Sequence, residues 1–225
     1  MVSGIMEVVN GIYEFKGVSN CYLVLDKEIF LVDTGMPGRS NEIIRYLEKN
    51  LKRSPHDIKT IVITHHHFDH TGSLDKLKKI TGAKVAVHVK DASYISGEKS
   101  QTGSLLMRPL VKIIKFIYRN QPVKADIILN DGDQIADYTV IHTPGHTPGS
   151  ICLYNPINKV IFVGDNLNYS KDKIEGPRIL DDPAEFKKSI KKLSDLDIEL
   201  ILTGHGPPVT SLANERLAQF LDKNV

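Results

Sequence analysis

The sequence predicts a mixed α/β fold of the α+β type, a four-layer αββα sandwich, and three observations predict it. Short apolar strands arrive as hairpins, stretches with one apolar helical face separate them, and the two halves of the chain share strand-to-loop junctions.

The first half opens with Ile12-Tyr13-Glu14-Phe15, Cys21-Tyr22-Leu23-Val24-Leu25 and Ile29-Phe30-Leu31-Val32, β-rich runs broken at Gly17 and at Asp26-Lys27-Glu28. Asp33-Thr34-Gly35 stops the third run. A helix fits 41–51, because Ile43, Ile44, Leu47 and Leu51 share one face. Ile61-Val62-Ile63 is a buried strand, 72–80 a helix with Leu74, Leu77 and Ile80 inward, and 85–89 the next strand. In the second half the strands are 127–129, 139–141, 151–154, 160–163 and 198–202, with helices over 183–193 and 211–221. Leu31-Val32-Asp33-Thr34-Gly35 echoes Phe162-Val163-Gly164-Asp165, and Ile61-Val62-Ile63-Thr64-His65 echoes Leu200-Ile201-Leu202-Thr203-Gly204-His205. The expectation is a single domain over 1–225 made of two pseudo-related halves, about 1–125 and 126–225.

Composition narrows the partners. The 225 residues are 41% hydrophobic and 25% charged, with a formal net charge of +2, a balance too mild to call for a nucleic-acid partner. No apolar run is long enough to suggest a membrane span, and the first residues lack the pattern of a signal peptide. A cytoplasmic location and a small-molecule substrate are therefore expected. Cys21 and Cys152 both fall in apolar strands, where a buried free thiol is the simpler reading than a disulfide.

The chemistry concentrates in His65-His66-His67-Phe68-Asp69-His70, which leaves a strand. Residues two apart on an extended chain point the same way, so His65 and His67 can share one ion while His66 points elsewhere. Asp69 and His70 follow where the chain curls into a helix and aim at a neighbouring point. Two ligand pairs offset in direction suit two metals better than one. Further candidates are His146, Asp165 and His205, each beside a glycine that lets the backbone turn sharply.

These motifs resemble those of the metallo-β-lactamase fold superfamily. Thr64-His65-His66-His67-Phe68-Asp69-His70-Thr71-Gly72 is similar to its HxHxDH signature. Val32-Asp33-Thr34-Gly35, His142-Thr143-Pro144-Gly145-His146-Thr147-Pro148-Gly149-Ser150, Phe162-Val163-Gly164-Asp165 and Thr203-Gly204-His205-Gly206 follow in the family's order. The resemblance implies the metallo-β-lactamase fold. It also implies that His65, His67 and His146 hold one metal, that Asp69, His70 and His205 hold a second, and that Asp165 bridges them. Asp33 would support the site without touching a metal. Two divalent ions are implied, zinc by default, with iron or manganese also suited to a nitrogen-and-oxygen shell. The pair would generate a bridging hydroxide that attacks a carbonyl or phosphoryl centre, and Asp69 would orient it and carry a proton. An aspartate at 165, where the commonest zinc β-lactamases have cysteine, disfavours antibiotic hydrolysis as the main role. His67, where the flavodiiron branch has glutamate, disfavours oxygen reduction.

The expected function is hydrolysis of an ester-like bond, with thioester, lactone and phosphoester open and the glyoxalase II and lactonase-like branches as the nearest resemblance. The short chain beyond His205 implies that the glutathione-binding extension of glyoxalase II is missing. The alternatives are a mono-iron sulfur dioxygenase-like oxidoreductase and, less favoured, a metal-dependent nuclease. Among the remaining histidines, His66 reads as structural, His88 as a core or edge residue and His56 as surface, while His142 stays open, a hydrogen bond to a ligand loop being one reading. Tyr169, a few residues beyond Asp165, is a candidate substrate contact. From 104 to 120, Leu106, Leu110, Ile113, Ile114 and Ile117 fall on one helical face opposite Arg108, Lys112, Lys115 and Arg119. Packing of that apolar face on the sheet is the simplest expectation. A lid, a homodimer contact or a helix lying on a membrane surface are the alternatives.

Overall fold

In the computed structural model, residues 4–102 and 108–224 are described. The three expected opening strands appear as β2 (Ile12–Phe15), β3 (Cys21–Leu25) and β4 (Ile29–Val32), and β1 (Ile5–Val9), which the sequence reading did not include, precedes them in an antiparallel meander. Helix α1 (Arg39–Lys49) then crosses to β5 (Ile58–Ile63), which lies parallel to β4. After the short helix α2 (Phe68–Thr71) and helix α3 (Leu74–Thr81), β6 (Lys84–His88) is again parallel, and β7 (Ile127–Leu129) completes a seven-stranded sheet in chain order. Between them lie α4 (Ala92–Ile95) and α5 (Arg108–Tyr118).

The second sheet runs β14-β11-β10-β9-β8. Its strands are β8 (Gln134–Ile135), β9 (Tyr138–His142), β10 (Ile151–Asn155), β11 (Val160–Gly164) and β14 (Leu200–Thr203). A small hairpin, β12 (Asn168–Ser170) with β13 (Lys173–Glu175), follows β11. Helices α6 (Pro183–Lys191) and α7 (Ala213–Asn224) complete the chain's order. Asp182 starts α6 by accepting from the backbone of Ala184 and Glu185, just ahead of Pro183, so local capping sets that boundary.

Strand alternation makes the layers. In β3, Tyr22 and Val24 face the second sheet while Cys21 and Leu23 face α1 and α3. In β11, Val160 and Phe162 join the inter-sheet core, and Ile161 and Val163 pack under α6 and α7 with Phe186, Ile190, Leu217 and Phe220. Three cores therefore separate four layers, helix, sheet, sheet, helix, as the period-2 strands and one-sided helices imply. Cys21 and Cys152 are buried free thiols in different cores. Among the described residues no helix is long and apolar enough to cross a membrane.

One expectation fails. The apolar side of 104–120 does not pack on the sheet as a whole: Leu110, Ile113 and Ile117 are exposed, while Ile114 is half-buried together with Val111 and Lys115. Leu106 lies outside the described residues. The physical reason is the inward grip of Lys115, whose Nζ donates to Gln101 Oε1 at 2.9 Å and lies 5.2 Å from the Phe68 ring centroid.

Candidate metal centre

Two of the parallel strand pairs, β4 with β5 and β11 with β14, end at the same edge of the sandwich, and the polar junctions after them meet there. Asp33 follows β4, His65 to His70 follow β5, Asp165 follows β11, and His205 follows β14. His146 arrives from the turn between β9 and β10. Two glycines permit the convergence. Gly145 has φ +136°, and a Cβ there would strike the backbone of Phe186. A Cβ on Gly204 would collide with Asp165 Oδ1.

The structure brings all seven predicted ligands together. His65, His67 and His146 form one cluster, and Asp69, His70 and His205 another, each with donor atoms within 4.8 Å of one another. The Asp165 carboxylate stands between them. Its Oδ2 is 3.5 Å from His146 Nε2, 3.9 Å from His65 Nε2 and 3.1 Å from His205 Nε2, and its Oδ1 is 3.1 Å from His70 Nε2. Asp69 Oδ2 lies 3.3 Å from His205 Nε2 and 3.7 Å from His70 Nε2.

Each imidazole is aimed by the bond at its other nitrogen. Thr64 Oγ1 donates to Asp33 Oδ2 and so accepts from His65 Nδ1 at 3.1 Å. His70 Nδ1 meets Asp33 at 2.8 Å, His146 Nδ1 the Ile179 carbonyl at 2.8 Å, and His205 Nδ1 the Val18 carbonyl at 2.6 Å. These partners put the free lone pair on Nε2, directed inward. His67 is reversed: its Nε2 faces Thr102 Oγ1 at 3.4 Å, which leaves Nδ1. His65 Nε2, His70 Nε2, His146 Nε2 and Asp165 Oδ1 are buried without a hydrogen-bond partner. Buried nitrogens facing one another across a few ångströms need a cation to satisfy them, so the residues present fit two divalent metals.

The electrostatics divide the same way. Burial, reinforced by His70, holds the His65 pKa well below the usual histidine range. Burial with His146 and His66 pulls His67 down to about 3. Both rings are neutral donors at neutral pH. Burial also opposes charge on His70 and His205, but the carboxylates outweigh it. Asp165, Asp69 and Asp33 raise His70 well above its ordinary value, and hydrogen bonds to Asp165 and Asp69 raise His205 to about 10. In the metal-free protein the second cluster therefore holds protons that a cation would replace.

Sequence reasoning missed Asp91. Its carboxylate is fully buried and accepts from His66 N (2.8 Å), Thr147 Oγ1 (2.9 Å) and Gly149 N (2.7 Å), with His66 Nδ1 at 2.9 Å. It clamps the loop carrying His65 and His67 to the loop carrying His146. The available signal was its place just beyond β6, matching the strand-end position of the other site carboxylates. Asp91→Ala leaves at least three buried donors unpaired, so a loss of about 3 kcal/mol in unfolding free energy is expected. Urea unfolding checks it, and a change under about 1 kcal/mol would contradict the clamp.

The other histidines do not join either ligand cluster. His66 stacks on Tyr94 and bonds Thr102, His56 is exposed, and His142 Nε2 bonds the Pro148 carbonyl in the His146 loop at 3.0 Å. His88 is buried against His142, with ring centroids 3.9 Å apart. Burial and then His142 lower its pKa to about 4. Below about pH 6.5 the unfolded imidazole takes a proton that the folded one refuses, so stability falls as pH drops through this window. Compared with His88→Phe, the wild type should lose about 2 kcal/mol more between about pH 7 and pH 5. Equal slopes in metal-free denaturant titrations would refute that assignment.

Tyr169 is not gathered with the metal-facing groups. Its hydroxyl donates to Asp172 Oδ1 at 3.3 Å and its ring lies 5.3 Å from the Arg216 guanidinium carbon.

Comparison with known proteins gives the family. The sequence profile of the Metallo-beta-lactamase superfamily matches residues 15–205. The chain is 30% identical over 224 residues to the acyl-coenzyme A thioesterase MBLAC2 of Homo sapiens, covering 90% of this chain and 78% of that one. It is 27% identical over 204 residues to the probable metallo-hydrolase YflN of Bacillus subtilis, covering 80% and 76%. A solved structure of a metallo-beta-lactamase family protein from Thermus thermophilus superposes with a TM-score of 0.73 at 21% identity, over 96% of this chain and 80% of that one. The last similarity concerns the fold alone.

Proposed function

Because the chain belongs to the metallo-beta-lactamase superfamily, we propose that it is a dinuclear metal-dependent hydrolase of ester-type bonds, a thioester first among them. The observation that carries this reading is Asp165, one carboxylate set between two ligand clusters. His65, His67 and His146 would hold one ion and Asp69, His70 and His205 the other, with Asp165 shared between them. Zinc is the metal we put first, and the same donors suit iron or manganese. When bound, the pair supplies an activated water and neutralises charge developing on the carbonyl oxygen.

The chain's own residues do the rest. His70 and His205 keep Asp69 ionised despite its burial, lowering its pKa, so it can orient a water and accept its proton. Asp33 and Asp91 hold the ligand loops, so that little reorganisation is needed when the reaction occurs. Supporting the thioester preference is the relative named an acyl-coenzyme A thioesterase. On this reading Tyr169 is not a substrate contact, and Tyr169→Phe should leave kcat/KM within about twofold. We also read 1–125 and 126–225 as related halves, since β4 beside β5 in one and β11 beside β14 in the other are parallel pairs that end at the centre.

The deciding experiment is a panel of acyl thioesters, lactones, phosphoesters and a β-lactam, run with zinc-, iron- and manganese-loaded protein. Two metals per chain and turnover of a thioester support the proposal. One iron per chain with oxygen consumption would replace it with the oxidoreductase reading, and turnover of phosphoesters alone would move the substrate class.

A further inference from the structure

Helix α5 carries an apolar stripe that the other described residues leave exposed. Leu110 is 47% exposed, Ile113 56%, Ile117 66% and Phe116 85%. The first three recur at helical spacing on one side, with Phe116 beside them. The opposite side does the holding. Lys115 bonds Gln101, and Asn120, just past the helix, donates to the Gly72 carbonyl. A contiguous apolar patch kept outward by such anchors marks a surface for docking.

The charge around the stripe identifies the occupant. No acidic residue occurs between Glu98 and Asp126, whereas Lys99, Arg108, Lys112, Lys115, Arg119 and Lys124 do. That is six positive charges in a chain whose net charge is +2. Lys112 and Arg119 flank Phe116, are exposed, and enter no ion pair among the described residues. A two-fold contact between two copies would set this basic border against itself. An anionic surface meets it with opposite charge.

We propose that α5 seats the protein on an anionic lipid surface, with Ile113, Phe116, Ile117 and Leu110 in the headgroup layer and Lys112 and Arg119 against the phosphates. The same segment reaches the metal loop: Gln101 Nε2 donates to the His66 carbonyl at 2.5 Å, and Thr102 faces His67. Docking would therefore hold the centre beside the membrane, whatever bond it cleaves.

The test is co-sedimentation of the full chain with phosphatidylcholine vesicles and with phosphatidylcholine–phosphatidylglycerol vesicles, at low and high salt. Binding should be about tenfold or more stronger to the anionic vesicles and should weaken with salt. Ile113→Asp, Phe116→Ser and Lys112→Glu should each lower it by roughly tenfold, with metal content and thermal midpoint unchanged. Each residue is exposed, so one of the three variants at least should fold normally. Absence of vesicle binding, or equal binding to both compositions, overturns the proposal. So does a wild-type dimer in sedimentation that Ile113→Asp dissociates without any effect on vesicles, which would assign the face to a second copy.

Discussion

Asp165→Ala should lower turnover by about a thousandfold or more and reduce the bound metal from the proposed two ions per chain to at most one. The carboxylate faces His65, His70, His146 and His205 at once, all through Nε2. No other acidic group among the described residues joins both ligand clusters. Without it, two cations would stand among neutral imidazoles with only Asp69 and the more distant Asp33 to offset their charge, and low effective dielectric makes that arrangement costly. His70 and His205 owe their raised pKa values largely to Asp165 as well, so the variant's metal-free second cluster should lose protons at lower pH. Asp165→Asn keeps the volume and removes the charge, separating electrostatics from packing. Metal content by mass spectrometry and kcat/KM on the best substrate are the readouts. Two metals and full turnover in either variant would sink the dinuclear assignment.

Asp33→Ala should act first on stability. Asp33 is 2% exposed and its side chain accepts from Thr64 N at 2.8 Å and Thr64 Oγ1 at 2.7 Å, while Oδ2 faces His70 Nδ1 at 2.8 Å. Removal leaves three buried donors without an acceptor, a cost of about 3–5 kcal/mol when they act as one network. Its backbone has φ +58°, a region that aspartate tolerates better than alanine, which adds to the loss. Because Asp33 aims both His70 directly and His65 through Thr64, metal affinity should fall by roughly 10–100-fold. Denaturant unfolding of the metal-free protein and competition with a chelator measure the two effects. A stability change below about 1 kcal/mol together with unchanged affinity would show that the network does not orient the ligands.

Much of the centre was legible because its signals are local. The alternation in Tyr22 to Val24 and in Val160 to Val163 states which side chains face which layer, since period 2 follows from strand geometry alone. The spacing of His65, His67, Asp69 and His70 likewise states two directions, and the strand β5 before it supplies the extended backbone that makes this true. Asp91 was not legible. Its partners, His66 and the Thr147–Gly149 turn, are 25 to 58 residues away in sequence, and no spacing rule links them.

Residue order thus carried the strand pattern, the one-sided helices α1, α3, α6 and α7, and the donor types at the ends of β5, β11 and β14, all set by repeats of two to four residues. It could not carry the orientation of α5, because an amphipathic helix has two faces and the pattern does not say which one meets the body. That choice depended on Lys115 finding Gln101 and Phe68, and Asn120 finding Gly72. Nor could it carry the side to which Tyr169 turns, which rests on Arg216 and Asp172. The convergence of both ligand clusters on Asp165 required β4 beside β5 and β11 beside β14, with both pairs ending at one edge. Contacts between distant parts of a chain are selected by the packing of the whole, and a window of neighbouring residues does not contain them.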